Sequence, residues 1–316
     1  MSWSTDDIPN LDGRAALVTG ANGGLGLETA RELARKGADV VMAARNLEKA
    51  AEAEADIRAG LPEASLEIVP LDLGSLDSVR AAAGKVLAKH DRIDIVVNNA
   101  GLMAMPERRT EDGFEMQLGV NHLGHWVLTA RLMPAILAAP QARVVSVTST
   151  AHHMGRAVNP DNPHLEGSYG PWKSYGQSKL ANFHFGIGLQ KQFEAAGVGA
   201  RSLIAHPGLS NTDLQARTTR ENEGDFWGKF FHKMSSSSGM DPATGALSQL
   251  RAATDPNASG GEFYGPMWVN SGPPVRKPIV RRLGMGGAID KLWAVSERET
   301  GERLEIGAGS GEGVAA

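Results

Sequence analysis

The chain has 316 residues, of which 41% are hydrophobic and 22% charged, and it carries a net charge of -4. This composition excludes disordered and fibrous chains, and the slightly negative charge argues against a nucleic-acid-binding protein. The chain contains no cysteine, which excludes disulfides, thiolate metal sites and cysteine nucleophiles. Redox chemistry would therefore require a bound cofactor.

The amino terminus and the lengths of the hydrophobic runs bear on localisation. Residues 1–7 carry neither the basic nor the apolar segment of a targeting peptide, and no run of about 18 apolar residues occurs in the chain. We therefore expect a cytoplasmic protein with no membrane anchor. A chain of this length fits one α/β domain, so we expect residues 1–316 to form a single domain.

Short apolar runs alternate with longer segments rich in Ala, Leu, Glu and Arg. The first three pairs of predicted strand and helix are Ala15–Thr19 with Leu25–Lys36, Asp39–Ala43 with Leu47–Ala59, and Leu66–Leu71 with Leu76–Lys89. Three further strands are predicted at Ile93–Asn98, Arg143–Thr148 and Ala200–His206, and two further helices between Asp112 and Leu137 and over Tyr175–Ala196. This alternation is typical of a doubly wound parallel sheet with helices on both faces, here with about seven strands.

Three segments break this alternation. Residues 151–172 are rich in Gly, Pro, His and Asn, which predicts a loop. Residues 213–239 contain four aromatic residues, which favours a lid over the substrate, although a disordered insertion is the alternative. The Gly-rich tail after about residue 306 is predicted to be disordered.

A glycine-rich turn joins the first predicted strand to the first predicted helix. Its glycines allow a tight turn and a close approach to a pyrophosphate, whose charge the helix N-terminus stabilises. The alternative is an ordinary glycine-rich turn, but the position between a strand and a helix favours dinucleotide binding. The candidate cofactor-binding residues of this turn are Gly20, Asn22, Gly24, Leu25 and Gly26.

The end of the second strand bears on the choice of nucleotide. An acidic residue there would bind the ribose 2′-hydroxyl, but the chain has Arg45, whose guanidinium suits a 2′-phosphate. We therefore predict NADP(H) in preference to NAD(H), the alternative being a solvated arginine. Asp72, followed by Leu73, is placed either to hydrogen-bond the adenine or to cap a helix.

Tyr175 and Lys179 are four residues apart at the predicted start of a helix, so their side chains share one face. A free tyrosine is a poor acid or base at neutral pH, because its pKa is near ~10. A cation one turn away is expected to stabilise the phenolate and lower that pKa. The pair therefore predicts acid/base chemistry.

Several motifs occur together in one order along the chain. They are Thr19-Gly20-x-x-x-Gly24-x-Gly26, Asn98-Asn99-Ala100-Gly101, Asn121, Ser149, Tyr175-x-x-x-Lys179 and Pro207-Gly208. From about Gly13 to Phe263 the sequence thereby resembles the short-chain dehydrogenase/reductase family. The resemblance implies a single Rossmann-fold domain that transfers a hydride between a nicotinamide and an alcohol/carbonyl pair.

The resemblance also implies roles for individual residues. Tyr175 would be the acid/base, Ser149 would hold the carbonyl oxygen, and Lys179 would bind the nicotinamide ribose and depress the pKa of the tyrosine. Asn121 would position a water molecule in a proton relay. The choice of Ser149 over the hydroxyl residues at 146, 148 and 150 rests on its position in the family pattern.

Further cofactor contacts follow from the resemblance. Asn98 would support the sheet, while Ala100 and Gly101 would let the backbone lie near the cofactor. Pro207 and Gly208 would follow the sixth strand beside the cofactor. Thr212 would contact the nicotinamide carboxamide.

The 26-residue separation of Ser149 and Tyr175 places the 151–172 segment beside the active site as an insertion. This feature resembles the retinol-dehydrogenase-like and protochlorophyllide-reductase-like branch of the family. Other motifs resembling that branch are Ala44-Arg45-Asn46, Ser178-Lys179-Leu180-Ala181-Asn182, His206-Pro207-Gly208 and Leu292-Trp293-Ala294-Val295-Ser296-Glu297. The branch implies NADP(H) and a bulky, apolar ketone or aldehyde substrate.

Other functions and assemblies stay open at this point. A non-catalytic NADP(H)-binding redox sensor is the main alternative, and a nucleotide-sugar epimerase or dehydratase is a third hypothesis. His152 and His153 lack a carboxylate partner at ligand spacing, so no metal site is expected. A homodimer or homotetramer through the two long helices is expected from the resemblance, unless the insertion covers that surface.

Overall fold

The computed structural model describes residues 2–208, 240–280 and 284–307. Within these residues eight strands form one sheet in the order β3-β2-β1-β4-β5-β6-β7-β8. The strands are β1 Ala15–Thr19, β2 Asp39–Ala44, β3 Leu66–Pro70, β4 Ile95–Asn98, β5 Arg143–Val147, β6 Arg201–Ala205, β7 Phe263–Pro266 and β8 Pro274–Lys277. All neighbouring pairs are parallel except β7 and β8, which are antiparallel. The predicted doubly wound sheet is confirmed, and β7 and the antiparallel edge strand β8 lie beyond the six strands placed from the sequence.

Helices cover both faces of the sheet. They are α1 Gly24–Arg35, α2 Leu47–Gly60, α3 Leu76–Leu87, α4 Met116–Leu118, α5 Gly124–Ala138, α6 Pro171–Ala195, α7 Pro242–Thr254 and α8 Met285–Thr300. Successive strand residues point to opposite faces, so Leu17 belongs to one hydrophobic core while Ala16 and Val18 belong to the other. Residues of α3, α5 and α6 complete the first core, and residues of α1 and α7 complete the second.

Two helical segments differ from their predicted form. The segment between Asp112 and Leu137 divides into α4, a π-helix over Gly119–Leu123, and α5. Helix α6 begins at Pro171, so Tyr175 lies in its second turn and not at its start. The predicted loop 151–172 is also partly helical, because a 3-10 helix spans Thr150–His153 and α6 includes the last two residues of the loop.

The carboxyl ends of the parallel strands lie at one edge of the sheet. Strand β1 pairs with β2 on one side and β4 on the other, so the strand order reverses there and a crevice opens beyond the strand ends. The predicted lid at 213–239 and Thr212 lie outside the described residues, as does the tail from residue 308.

The carboxyl-terminal helix α8 packs on the outer side of α6. Trp293 of α8 stacks on Phe185 with ring centroids 5.7 Å apart and meets Trp126 edge-on at 5.2 Å. Gly188 of α6 makes room for the same indole, because a Cβ atom there would collide with its ring. Helix α8 therefore covers part of the outer side of α6, with Trp293 seated between Phe185 and Trp126.

Candidate active site

The glycine turn between β1 and α1 has the backbone geometry that a dinucleotide requires. Gly20 and Gly24 have φ angles of +70° and +52°, which favour glycine. A Cβ atom at Gly26 would collide with the carbonyl oxygen of Gly20. Gly23 occupies the N-cap of α1, and no side chain in the described part of the protein caps that helix end. The first-turn N–H groups are thus available for a pyrophosphate, and the turn fits the predicted cofactor.

A hydrogen-bonded network joins this turn to the end of β4. The hydroxyl oxygen of Thr19 accepts the main-chain N–H groups of Asn99 and Ala100, each at 3.0 Å. The Asn99 side chain donates in return to the Thr19 carbonyl at 2.8 Å. Asn98 is 2% exposed and donates to Thr129 Oγ1 at 3.1 Å, so it ties β4 to α5. Asn99 was not among the predicted site residues, although it stands in the predicted motif.

Arg45 and Asp72 face each other across the ends of β2 and β3. The Arg45 side chain is 59% exposed, and its Nη1 lies 3.6 Å from Asp72 Oδ2. The other Asp72 oxygen accepts the Gly74 N–H at 2.9 Å. Ser75 occupies the N-cap of α3, so the alternative that Asp72 caps the helix is wrong. Leu73 is buried in the core, which leaves only its backbone to meet a cofactor.

Tyr175 and Ser149 come together in the described structure. Tyr175 is only 5% exposed, and the Ser149 side chain lies close enough to its hydroxyl to lower its pKa. Ser149 lies at the N-cap of the 3-10 helix, where its oxygen also accepts the Ala151 N–H at 3.3 Å. The neighbouring hydroxyl of Thr148 donates instead to the Lys179 carbonyl at 2.7 Å. Ser149 is therefore the residue of this hydroxyl-rich segment that meets the tyrosine.

Burial controls the protonation of the two titratable groups on α6. The pKa of Tyr175 is raised to about 12 by burial, and the nearby Ser149 side chain only partly opposes this effect. Burial also lowers the pKa of Lys179 to about 8. The ammonium group lies 5.9 Å from the tyrosine ring centroid and donates to the Val147 carbonyl at 3.3 Å. The expected lowering of the tyrosine pKa by this lysine is corrected: desolvation is larger, and the phenol stays protonated at neutral pH.

Asn121 lies in the π-helix and uses its side chain to hold the loop after β4. Its Oδ1 accepts the Leu102 N–H at 2.7 Å, and its Nδ2 donates to the Leu102 carbonyl at 2.9 Å and to Ser178 Oγ at 2.8 Å. The amide side chain is thereby occupied. The main-chain carbonyl lies 3.0 Å from Nδ1 of His125, and its second acceptor position is what a relay would use. A Cβ atom at Gly101 would lie 3.1 Å from Asn121 Oδ1 and 3.2 Å from Lys179 Nζ, so glycine lets these groups approach.

The turn after β6 is held by a histidine that the sequence prediction did not include. Gly208 has a φ of +74°, and its N–H donates to Nδ1 of His206 at 3.1 Å. Burial lowers the pKa of His206 to about 3, with the neighbouring His152 and Lys277 adding to the effect. The imidazole is neutral and can accept this hydrogen bond. The His-Pro-Gly order was the available signal.

His152 and His153 pack against each other and against aromatic rings. Their ring centroids are 3.9 Å apart, and His152 stacks on Phe183 at 4.6 Å. Nδ1 of His152 lies 2.6 Å from the Ser149 carbonyl. No group of three His, Cys, Asp or Glu residues within the described ranges could hold a metal ion.

Hydrogen bonds hold the 151–172 insertion against the rest of the protein beside the site. Tyr169 donates its hydroxyl to the Met105 carbonyl at 2.6 Å, and the Gln177 side chain donates to the Pro163 carbonyl at 2.8 Å. Trp172, at the start of α6, meets the Tyr175 ring edge-on at 6.0 Å. The insertion therefore forms a fixed wall next to the catalytic tyrosine candidate.

Comparison with known proteins agrees with this geometry. Residues 14–223 match the short chain dehydrogenase family. The chain belongs to the short-chain dehydrogenase/reductase family. It is 40% identical over 245 residues to the short-chain dehydrogenase/reductase prx1 of Penicillium roqueforti, a match covering 76% of this chain and 70% of the relative.

Two mammalian relatives place the chain in the retinol-dehydrogenase-like branch. Human retinol dehydrogenase 13 is 40% identical over 208 residues, covering 66% of this chain and 62% of that protein. Mouse polyprenol dehydrogenase is 42% identical over 211 residues, covering 66% of this chain and 63% of that protein. The matches thus span less than two thirds of each mammalian protein.

Solved structures extend the comparison to the whole fold. A crystal structure of an uncharacterized protein from Mycobacterium paratuberculosis superposes with a TM-score of 0.80 at 37% identity, covering 97% of this chain and 100% of that one. A dehydrogenase structure from Beutenbergia cavernae with bound NADP at low occupancy has a TM-score of 0.63 at 25% identity, covering 81% of this chain and 96% of that one. In the described part of this chain, no helix has the length and apolarity needed to cross a membrane.

Proposed function

We propose that the protein is an NADP(H)-dependent oxidoreductase that reduces a bulky, apolar ketone or aldehyde, with Tyr175 as the acid/base. The observation that carries this proposal is the buried phenol of Tyr175, which has the Ser149 side chain beside it and the Lys179 ammonium 5.9 Å from its ring. A non-catalytic binding protein has no need of a buried phenol with these neighbours at the carboxyl edge of the sheet. Perturbed titratable groups of this kind cluster at catalytic sites.

The cofactor would be held by the glycine turn, by the backbone after β4 and by the Pro207-Gly208 turn. When bound, the nicotinamide dinucleotide supplies or accepts the hydride. Lys179 is suited to bind ribose hydroxyls, because its buried ammonium donates to only one acceptor among the described residues, the Val147 carbonyl. Gly101 leaves room for such contacts beside the ammonium.

The proton that the substrate oxygen receives would come from Tyr175, with the assistance of Ser149. The phenol carries its proton at neutral pH, as an unperturbed tyrosine also does. Burial raises its pKa to about 12, and the positive charge of Lys179 opposes that rise and favours release of the proton. The phenol can therefore donate to the substrate oxygen as negative charge develops there, while Ser149 donates a hydrogen bond to the same oxygen. The Asn121 carbonyl would hold the relay water that returns a proton to the tyrosine.

The preference for NADP(H) rests on Arg45. Its guanidinium is exposed at the end of β2, where a fork of donors suits a 2′-phosphate. Asp72 lies 3.6 Å away and holds the guanidinium near this position, but its charge also offsets part of the attraction. The bound NADP in the Beutenbergia cavernae relative supports a site of this kind.

The apolar substrate class is supported by the names of two relatives, a retinol dehydrogenase and a polyprenol dehydrogenase. Trp172 of the wall beside Tyr175 offers an aromatic surface to such a substrate. We keep the cytoplasmic location as a proposal. We also keep a homodimer or homotetramer through the two long helices as a proposal.

The test is turnover of NADPH and NADH by the purified protein over a panel of apolar ketones, aldehydes and quinones. Tyr175→Phe removes the proposed proton donor. Tyr264→Phe is the matched control, because the hydroxyl of Tyr264, on β7, donates to Glu262 just before that strand. We expect NADPH consumption that only Tyr175→Phe abolishes. Tight NADPH binding without turnover, and with no difference between the variants, would instead indicate a redox sensor.

A further inference from the structure

A buried histidine that the proposed chemistry does not use contacts two separate parts of the site. His125 lies in the first turn of α5 and is 2% exposed. Its Nε2 lies 2.8 Å from Oγ1 of Thr19, which ends β1 just before the glycine turn. Its Nδ1 lies 3.0 Å from the main-chain carbonyl of Asn121 in the π-helix. One imidazole ring therefore joins the cofactor turn to the relay residue.

The partners of the ring define its protonation. A carbonyl oxygen only accepts hydrogen bonds, so Nδ1 of His125 carries the hydrogen and donates to Asn121. The Thr19 oxygen already accepts two N–H groups, from Asn99 and Ala100, at 3.0 Å each. A hydroxyl has two acceptor positions and one proton. Because both acceptor positions of Thr19 are occupied, its hydroxyl donates its proton to Nε2. The ring is the neutral Nδ1–H tautomer, accepting from Thr19.

Two competing arrangements are weaker. The Thr19 hydroxyl could donate to the Val97 carbonyl, but that distance is 3.4 Å compared with 2.8 Å to His125. A doubly protonated ring would direct a second N–H at an oxygen whose acceptor positions are filled. Burial lowers the pKa of His125 to about 4, an effect that the Asn121 hydrogen bond opposes and the nearby Lys179 ammonium assists. The adjacent His122 is also kept neutral by burial.

We propose that His125 is a positioning residue that couples cofactor binding to the proton relay. This inference rests on the proposed function. Through Nδ1 the ring holds the Asn121 carbonyl in the position that the proton relay requires. Through Nε2 it anchors Thr19, and with Thr19 the start of the glycine turn. The two nitrogen atoms make separable contributions, because each has its own partner.

Two substitutions separate these contributions. In His125→Asn the amide nitrogen can replace Nδ1 as a donor to Asn121, but the side chain is too short to reach Thr19. In His125→Gln the amide oxygen can replace Nε2 as an acceptor from Thr19, but the donor to Asn121 is lost. Losing one such hydrogen bond of about 0.5–1.5 kcal/mol corresponds to roughly 2- to 12-fold.

The expected results differ between the variants. His125→Asn mainly raises the dissociation constant of NADPH, measured by direct binding, by roughly 2- to 12-fold. His125→Gln mainly lowers kcat by a similar factor and shifts its pH profile. Thr19→Val also removes the acceptor of the Asn99 and Ala100 N–H groups. It should therefore weaken NADPH binding in both backgrounds, but by less in the His125→Asn background, where the bond between Thr19 and His125 is already lost.

Nitrogen-15 NMR of the histidine rings provides a readout that is independent of turnover. We expect the His125 resonances, assigned by loss in His125→Asn, to report a neutral Nδ1–H ring from pH 6 to pH 8. An Nε2–H tautomer, or titration within that range, overturns the inference. Equal changes of binding and kcat in both variants overturn it as well. Failure of the wild-type protein to bind NADPH contradicts the proposed function, while the NMR result still decides the state of the ring.

Discussion

The cofactor turn and the catalytic pair both lie at the carboxyl edge of the sheet, but different kinds of group form them. The turn is made of glycines and main-chain hydrogen bonds, with Gly20, Gly26 and Thr19 fixing its shape. The catalytic pair consists of two buried titratable side chains, Tyr175 and Lys179, whose pKa values are both displaced by desolvation. The turn depends on its backbone shape, whereas the pair depends on the protonation state of its side chains. The two should therefore respond differently to substitution and to pH.

The largest expected effect is on the catalytic pair. Tyr175→Phe should lower kcat by roughly 10²–10⁴-fold, because general acid catalysis contributes about that much. Ser149→Ala should lower kcat by less, and the double variant should be little worse than Tyr175→Phe alone, since the two hydroxyls act on one oxygen. Steady-state kinetics at saturating NADPH measures these changes. Independent, multiplicative losses would contradict the shared role.

Substitution of Gly26 tests the turn by shape alone. Gly26→Ala places a Cβ atom against the Gly20 carbonyl, and overpacking of this kind costs about 1–3 kcal/mol. This cost disfavours the conformation of the turn that binds NADPH. NADPH binding, measured by fluorescence titration, should therefore weaken by roughly 5- to 150-fold. Gly84→Ala is the matched control in helix α3, where a Cβ atom meets open space. Equal binding by both variants would exclude the turn as the pyrophosphate site.

Arg45 tests how much a charged side chain contributes to cofactor binding beyond the shape of the turn. Arg45→Gln should raise the dissociation constant of NADPH by roughly 10- to 100-fold, the value of a charge-assisted hydrogen bond of about 1.5–3 kcal/mol. NADH binding should change far less, because NADH has no 2′-phosphate. Arg58→Gln, which removes an arginine paired with Glu54 on α2, is the control. A loss that is the same for NADPH and NADH would remove Arg45 from the specificity argument.

Lys179 is expected to give an effect of a different kind, a pH dependence of stability. Its pKa falls from 10.5 in the unfolded chain to about 8 in the folded protein, so the unfolded chain binds more protons between these values. The free energy of unfolding should therefore receive a rising contribution from this residue between pH 8 and pH 10.

Urea unfolding at several pH values measures that contribution as the difference between the wild-type protein and Lys179→Met. The variant lacks the titrating group, so its stability advantage over the wild type should be largest at pH 7 and shrink toward pH 10. A difference that stays constant with pH would show that burial does not lower the pKa of Lys179.

The sequence predicts the elements and motifs that depend on local pattern. Strand β1 and the glycine turn follow from a short apolar run and from spacing, and the structure places them as expected. The antiparallel strand β8 was missed because its four residues have only two buried or partly buried apolar positions and depend on pairing with β7.

Tertiary contacts explain the other differences. The π-helix around Asn121 is not encoded in hydrophobic periodicity, since its residues are all buried. The pKa of Tyr175 depends on how deeply the whole fold buries the phenol, which spacing to Lys179 cannot reveal. The role inferred for His125 depends on Thr19, 106 residues away along the chain. That of His206 depends on the conformation of a single turn.

The most direct test of the central claim follows a deuterium atom from NADPH labelled on the nicotinamide ring into an apolar ketone or aldehyde. We predict that the wild-type protein yields an alcohol carrying deuterium on the former carbonyl carbon, detected by mass spectrometry, and that Tyr175→Phe yields at least ~100-fold less. Tight binding of labelled NADPH without deuterium in any product, in a panel that includes aldehydes, would contradict the claim that this site catalyses hydride transfer.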